Sequence, residues 1–480
     1  MNKSFFGRKK EVEILETALQ SEEAEMVSVI GRRRVGKTFL VESSYQDKII
    51  FKVTGIQDAP RTEQLQNFML QIAKYSKGNF PSKQPKNWLE AFFLLTEYLD
   101  TIVGDKEKKV VFLDELPWLS THKSGFLRGL SYFWNSWAVG KNIVVVICGS
   151  AASWMIKKVV NHRGGLHNRI TRRIDLYPFT LLETEQYLKN RGMDFDHYQI
   201  IQLYMAMGGI PHYLKEIKKG DSATQNINQI CFSQTGLLRD EFSKLYASLF
   251  ENAENHVAVI RCLAKKRQGL TRKQIEENAK IPAGGLLSRV LEELVQSGFI
   301  SAFRPFKKKK KEKIYRLTDE YSLFYLYFIE NKEHEGEDIW NHLSQTQTYQ
   351  TWGGYTFESI CLKHIPQIKK ALGISGIYSL SGSFYKKGTA NEKGAQIDLL
   401  IDRNDHVINL FEIKFYRDVF SLTKSYNSKL REKSRIFQTS TQTRKQLFWV
   451  FISTFGLKDN AHRGSVVAKE LMMEDLFIEA

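Results

Sequence analysis

The stretch VSVIGRRRVGKTFLVE, residues 27–42, constrains this chain more than any other. Gly31, Gly36, Lys37 and Thr38 satisfy the pattern G-x-x-x-x-G-K-[ST]. An apolar strand-like run precedes the loop and an apolar helical pattern follows it, the order that phosphate cradling requires. Glycines let the backbone curl until its N–H groups point at an anion, and the helix N-terminus adds a positive dipole. Lys37 would reach the β- and γ-phosphates, and the Thr38 hydroxyl would bind Mg²⁺. Arg32, Arg33, Arg34 and Val35 complete the nucleotide-binding loop, with the three arginine side chains read as solvated.

Such a loop needs an acidic partner at a neighbouring strand end. KVVFLDELPWL supplies it: a buried strand pattern that ends in Asp114-Glu115. Asp114 would hold the Mg²⁺ shell, and Glu115 would orient or deprotonate the attacking water. Strand-like runs at 26–30, 49–53, 109–113, 143–148 and 173–177 alternate with helical patterns, which predicts a parallel sheet covered by helices. Ser150 follows the fourth run and would sit beside the phosphates, where it can sense the γ-phosphate. Arg169, Arg172 and Arg173, around the fifth run, are candidates for a γ-phosphate or subunit-interface role.

At 480 residues the chain has room for about three or four domains. Its longest apolar runs, such as NIVVVICG, are far short of a membrane span, and MNKSFFGRKKE lacks the apolar core of a signal peptide. Cys148, Cys231, Cys262 and Cys361 are scattered without metal spacing, as expected of reduced packing residues in a cytoplasmic protein.

The formal charge of +17 is uneven. Residues 255–317 carry 16 Lys and Arg against 5 Asp and Glu, a net +11, which points to a polyanion-binding module. NHVAVIRCLAKK, TRKQIEENA (with a Thr271/Gln274 capping box) and PAGGLLSRVLEELVQSGF read as three helices. FISAFRPF and EKIYRLTD then flank a lysine run as a two-stranded hairpin. The order predicts a winged helix-turn-helix. Ser288 and Arg289 would face the DNA major groove, and Lys307, Lys308, Lys309, Lys310 and Lys311 would lie along phosphates. A solvated hairpin on a module that contacts only protein is the alternative.

In GAQIDLLIDRNDHVINLFEIKFY, a strand carrying Asp398, a turn at 403–405 and a second strand carrying Glu412 and Lys414 are expected. Positions 412 and 414 share a face. Charges inside an apolar strand are costly unless they have a partner. Asp398 and Glu412 would hold Mg²⁺ or Mn²⁺, with Lys414 acting on water or phosphate and Glu358, upstream, as a third carboxylate.

These residues resemble two known groups. FFGRKKEVEIL, GRRRVGKT, VVFLDELPWL, CGSAASWM and GGIPHYL resemble prokaryotic ATPases of the AAA+/STAND class, the archaeal-type ATPase family among them. That resemblance implies ATP as the nucleotide, with Phe6, Gly7 and Arg8 near the adenine and Gly209 and Pro211 in a helical lid. The family's Leu-x-Gly-Arg is Leu166-His167-Asn168-Arg169 here. The last third resembles the PD-(D/E)XK nucleases through Glu358, Gln396, Asp398, Glu412 and Lys414. The expected architecture is an α/β P-loop ATPase core (1–181), a helical lid (182–250), a winged helix (251–320) and a restriction-endonuclease-like α/β domain (321–480). The expected function is an ATP-binding and ATP-hydrolysing DNA-binding protein with a metal-dependent DNA endonuclease-like C-terminal domain. The competing reading is a nucleotide-gated switch whose last domain only docks. A second copy of the chain and a protein partner are left open.

Overall fold

The computed structural model describes residues 6–79, 84–104, 107–160, 166, 168–250, 252–266, 268–282, 284–307, 312–332, 338–389 and 392–480. Two compact units divide the chain: residues 1–178 with 248–251, and residues 179–247 with 252–480. The expected boundary near 320 falls inside the second unit, whereas the one near 250 falls in residues 248–251, which group with the first.

The first unit is built on five strands: β1 (Glu25–Ile30), β2 (Ile49–Thr54), β3 (Lys109–Asp114), β4 (Ile143–Gly149) and β5 (Arg172–Asp175). All pairs are parallel and the order is β2-β3-β4-β1-β5. Every residue of β1 and β4 is buried, as continuous apolar runs require when both faces of a sheet are covered. Helices Arg61–Tyr75, Trp88–Asp100 and Phe126–Ser136 pack on the sheet through Phe68, Trp88, Phe92, Phe126 and Phe133. Trp88 and Phe126 meet edge to face at 4.7 Å. The acid-bearing strand β3 is not beside β1, as the sequence suggested, because β4 lies between them.

The second unit opens with helices that include Leu181–Asn190, His197–Met207, Pro211–Leu214 and Ala223–Phe232. Gly209 lies where the chain passes against Phe179, and a Cβ there would sit 2.0 Å from the Phe179 carbonyl oxygen. Next come helices Ala253–Ala264, Arg272–Ala279 and Gly285–Gln296, with β6 (Leu270–Thr271), β7 (Ile300–Phe303) and β8 (Ile314–Leu317). The Thr271/Gln274 capping box is present. The expected hairpin is β7 and β8, which pair antiparallel, and β6 adds a third strand in the order β6-β8-β7, because Leu270 and Thr271 pair with Tyr315 and Ile314.

The aromatic segment after the hairpin is the helix Glu320–Phe328, with Tyr321, Phe324 and Phe328 wholly buried, the two phenylalanines against Trp340 and Trp352 and Tyr321 against Tyr213. The last sheet has the order β13-β12-β11-β10-β9. Its strands are β9 (Ser379–Lys386), β10 (Ala395–Arg403), β11 (Val407–Lys414), β12 (Gln446–Ser453) and β13 (Val467–Leu471). It is mixed: β9, β10 and β11 pair antiparallel, and β11, β12 and β13 pair parallel.

His364 ties two elements of this unit. Its Nε2 accepts the Leu181 N–H at 3.1 Å, which leaves the proton on Nδ1, 2.8 Å from the Ile360 carbonyl. Burial lowers its pKa to about 4, because a second ring proton would face the Leu181 N–H in a dry site. The unfolded ring titrates near its ordinary 6.5, so its stabilisation is complete above pH 6.5 and is lost as pH falls towards 4. The expected loss is about 3 kcal/mol across that window. Denaturant melts between pH 7 and 4 should show a shallower decline for His364→Gln, and parallel curves would contradict the assignment.

Candidate functional site

The loop between β1 and the helix Lys37–Tyr45 is closed by local chemistry. Gly31 has no room for a side chain, since a Cβ would lie 2.4 Å from the Leu176 carbonyl oxygen. Gly36 has φ +91°, in the left-handed region where glycine carries no Cβ strain. Lys37 is buried, and its Nζ donates to the Arg32 carbonyl at 3.0 Å. The arginines are not simply solvated: Arg32 is buried, and the Arg33 guanidinium lies 5.8 Å from the Trp118 ring centroid. Arg8, buried at 5% exposure, donates to the Tyr177 carbonyl at 2.6 Å and lies 3.5 Å from the Val35 carbonyl oxygen. In this state it braces the loop, while Phe6 beside it is half-buried.

Three strand ends converge here. The Thr38 hydroxyl donates to Asp114 Oδ2 at 2.9 Å, and Asp114 Oδ1 accepts the Glu115 N–H at 3.1 Å. Glu115 has φ 48°, which turns the chain out of β3. Its Oε2 accepts both the N–H of Ser150, at 3.0 Å, and the Ser150 hydroxyl, at 2.8 Å. Ser150 directly follows β4, so Glu115 is held towards the strand that lies between β3 and the loop strand. Ser150, expected beside the phosphates, contacts the Glu115 carboxylate. A hydroxyl and a carboxylate side by side form the hard-oxygen donor set that suits Mg²⁺.

The arginines of the fifth strand fall elsewhere. Arg172 pairs with Glu25 at 3.0 Å and Arg173 with Asp175 at 2.8 Å. The Thr171 N–H bonds the Met26 carbonyl, at the end of β1 opposite the loop. Arg169 precedes it and is exposed, roughly 16 Å of strand away from the loop. Arg169 and Arg172 therefore stand at the end of β1 away from the phosphate loop, with Arg169 on the surface. Pro211 begins the helix Pro211–Leu214 of the second unit.

Among the nucleic-acid candidates, Ser288 and Arg289 are exposed on the helix Gly285–Gln296. The Ser288 hydroxyl accepts from Arg272 at 3.2 Å, and Arg289 lies 3.6 Å from Glu293. Lys307 does not lie free for a phosphate: its Nζ donates to the Thr441 carbonyl at 2.6 Å. Lys308, Lys309, Lys310 and Lys311 lie outside the described residues.

The C-terminal residues form two groups, not one. Leu399 pairs with Phe411, so the same register carried one residue further sets Asp398 opposite Glu412. Yet Glu412 is enclosed by Lys414 at 3.0 Å, Lys433 at 2.7 Å and the Tyr426 hydroxyl at 2.6 Å. Burial opposes its ionisation, but the two lysines outweigh that and bring its pKa to about 2. Glu358, buried on the helix Gln347–Lys363, instead meets Arg316 Nη2 at 3.3 Å, and Asp398 lies 3.9 Å from the same nitrogen. Among the described residues, no group of three or more His, Cys, Asp or Glu is arranged to hold a metal ion. At Asp398 and Glu412, where a Mg²⁺ or Mn²⁺ site was expected, cationic side chains face the carboxylates in this arrangement.

Sequence reading missed Arg316, Tyr426 and Lys433. Tyr426 and Lys433 are seven residues apart on the helix Lys424–Thr441, a spacing that puts both on one face and was open to detection.

A family described as an ATPase domain predominantly from Archaea matches residues 5–217. An uncharacterized protein of Methanocaldococcus jannaschii is 22% identical over 437 residues, covering 88% of this chain and 92% of that protein. The Walker-type ATPase of Pyrococcus abyssi superposes with a TM-score of 0.50 at 17% identity, covering 68% of this chain and 97% of that one. The ORC2 protein of Aeropyrum pernix, in ADPNP–ADP complexes, gives a TM-score of 0.43 at 14% identity over 70% of this chain and 95% of that one. Residues 5–217 thus match the model of an ATPase domain, and the five-stranded parallel sheet with its loop between β1 and the following helix shares its fold with the Walker-type ATPase of Pyrococcus abyssi.

Proposed function

We propose that the chain is an ATP-hydrolysing switch that binds DNA through its three-helix and hairpin module, read as a winged helix. The observation that carries the first half is the bonded array Thr38–Asp114–Glu115–Ser150, which links three strand ends beside the phosphate loop. Thr38 and Asp114 would hold the Mg²⁺ that accompanies the nucleotide and neutralises its phosphate charge. Lys37 would leave the Arg32 carbonyl for the β- and γ-phosphates. Glu115 then takes the proton of the attacking water, and Ser150 is a positioning residue that aims the carboxylate.

Lys37→Ala should abolish ATP binding, whereas Glu115→Gln should bind ATP and fail to turn it over. Calorimetry and phosphate release read both, and a Glu115→Gln chain that hydrolyses at the parental rate would remove Glu115 from the role of base. Ser150→Ala should lower kcat about tenfold with little change in KM, the size expected when one hydrogen bond to a charged group is lost. Ser150→Thr should restore the rate, and an unchanged kcat in Ser150→Ala would contradict the positioning role.

The DNA half rests on the +11 charge of residues 255–317 and on the exposure of Ser288 and Arg289 on the third helix of the module. If Arg289 contacts a phosphate, Arg289→Ala should weaken binding on all sequences alike and reduce the slope of log K against log salt by about one. If it reads a base, the loss should depend on sequence. No effect on either would return this helix to a protein-contact role. Four buried free cysteines accord with a cytoplasmic setting, and among the described residues no helix is long and apolar enough to cross a membrane.

A second reading, a PD-(D/E)XK-like domain that cuts DNA, is favoured by one observation. The β10–β11 register directs Asp398 towards Glu412, with Lys414 on the same face. Nicking of plasmid by the wild-type chain with Mg²⁺ or Mn²⁺, lost in Asp398→Ala, would establish it. Intact plasmid under every nucleotide condition would leave the last sheet a docking surface.

A further inference from the structure

Arg316 lies in β8, the middle strand of the hairpin sheet, and its side chain is only 7% exposed. It lies against two carboxylates of the C-terminal sheet region: Glu358 on its helix, at 3.3 Å, and Asp398 on β10, at 3.9 Å. A second link runs in parallel. Gln268, just before β6, donates to Gln396 Oε1 at 2.5 Å, and Gln396 donates to Asp398 Oδ1 at 2.6 Å. A third link is at the hairpin turn, where the Phe306 N–H bonds the Ser383 carbonyl at 2.8 Å and the Phe306 ring stands 5.4 Å from Phe437. Lys307 reaches the Thr441 carbonyl from the same turn.

Two cationic side chains of the hairpin, Arg316 and Lys307, are thus directed at anionic or carbonyl oxygens of the C-terminal sheet region. A guanidinium held by carboxylate oxygens has the partner geometry that it would adopt with phosphate oxygens. We propose that the Arg316 contact is an autoinhibitory lock. Glu358 and Asp398 act as internal phosphate mimics that hold the hairpin against the C-terminal sheet, and a phosphate polyanion, DNA, competes with them for the hairpin. The same lock covers Asp398, so the closed hairpin masks the carboxylate that a cutting site would need. This inference rests on the DNA-binding reading for its ligand, but the lock itself has a readout that does not need DNA.

The test is the full-length double variant Glu358→Gln with Asp398→Asn, which keeps both shapes and removes both charges. Hydrogen exchange in β7 and β8 should quicken relative to wild type, while the sheet of the first unit is unchanged. Affinity for a fluorescent DNA duplex should rise about tenfold, since a charge-assisted bond no longer competes. The slope of log K against log salt should steepen by about one, for one further phosphate contact. Adding Arg316→Ala should erase that gain. If the double variant does not fold, the single Glu358→Gln, which removes the closer partner, is read in the same way. Unchanged exchange in β7 and β8, or DNA affinity that is equal or weaker in a variant with quickened exchange, would overturn the lock. Quickened exchange with no DNA bound by either protein would uphold the lock and reject the DNA-binding reading instead.

Discussion

The placement of β4 between the loop strand and the acid-bearing strand governs the chemistry of the first unit. Had β3 lain directly beside β1, Glu115 would have no intervening strand end on which to rest. With β4 inserted, Ser150 offers its N–H and its hydroxyl to one carboxylate oxygen, and Asp114 is free to bond Thr38. Each polar group of the array therefore has a partner from a different strand end. That matters because Asp114 and Ser150 are buried, where an unpaired polar group costs several kcal/mol. The sheet order fixes the array without any ligand, as preorganised positioning of the proposed base and metal ligand would require.

The second unit depends on a different kind of pairing. Glu412, Glu358 and Asp398 sit in an apolar sheet region, and each has a cation near it: two lysines for the first, Arg316 for the other two. Removing one partner of such a pair leaves a charge with poor solvation, so these contacts are demanding on geometry whatever their net contribution to stability. The carboxylates that look like a metal site along the strand thus face cations in this arrangement. Their lone pairs already face ammonium and guanidinium groups.

The phosphate loop, its acidic partner and the five-strand alternation were legible because their chemistry is local. Glycine at 31 and 36, lysine at 37 and paired acids at 114 and 115 are each specified within a few residues of a strand end. Strand order was not legible, because a buried parallel strand carries the same apolar run at every position in a sheet. The face shared by Glu412 and Lys414 followed from strand period, but their neighbours did not: Lys433 comes from the next helix, and its contact depends on how that helix packs. Arg316 was hidden for the same reason, being 42 residues from Glu358 and 82 from Asp398 in the chain. Lys307 read as one member of a basic run, yet its turn position delivers it to a carbonyl. Composition could give the charge of that segment, not the direction of each side chain.

The central claim is that the loop and the bonded array beside it form one nucleotide site. A crystal structure of the chain with Mg²⁺ and a non-hydrolysable ATP analogue tests it most directly. The account predicts Lys37 Nζ moved from the Arg32 carbonyl onto the β- and γ-phosphates, Thr38 and Asp114 turned to the metal, and Glu115 facing the γ-phosphate from its Ser150 support. Nucleotide bound with Lys37 still on the Arg32 carbonyl, or with Glu115 turned away from the γ-phosphate, would contradict it.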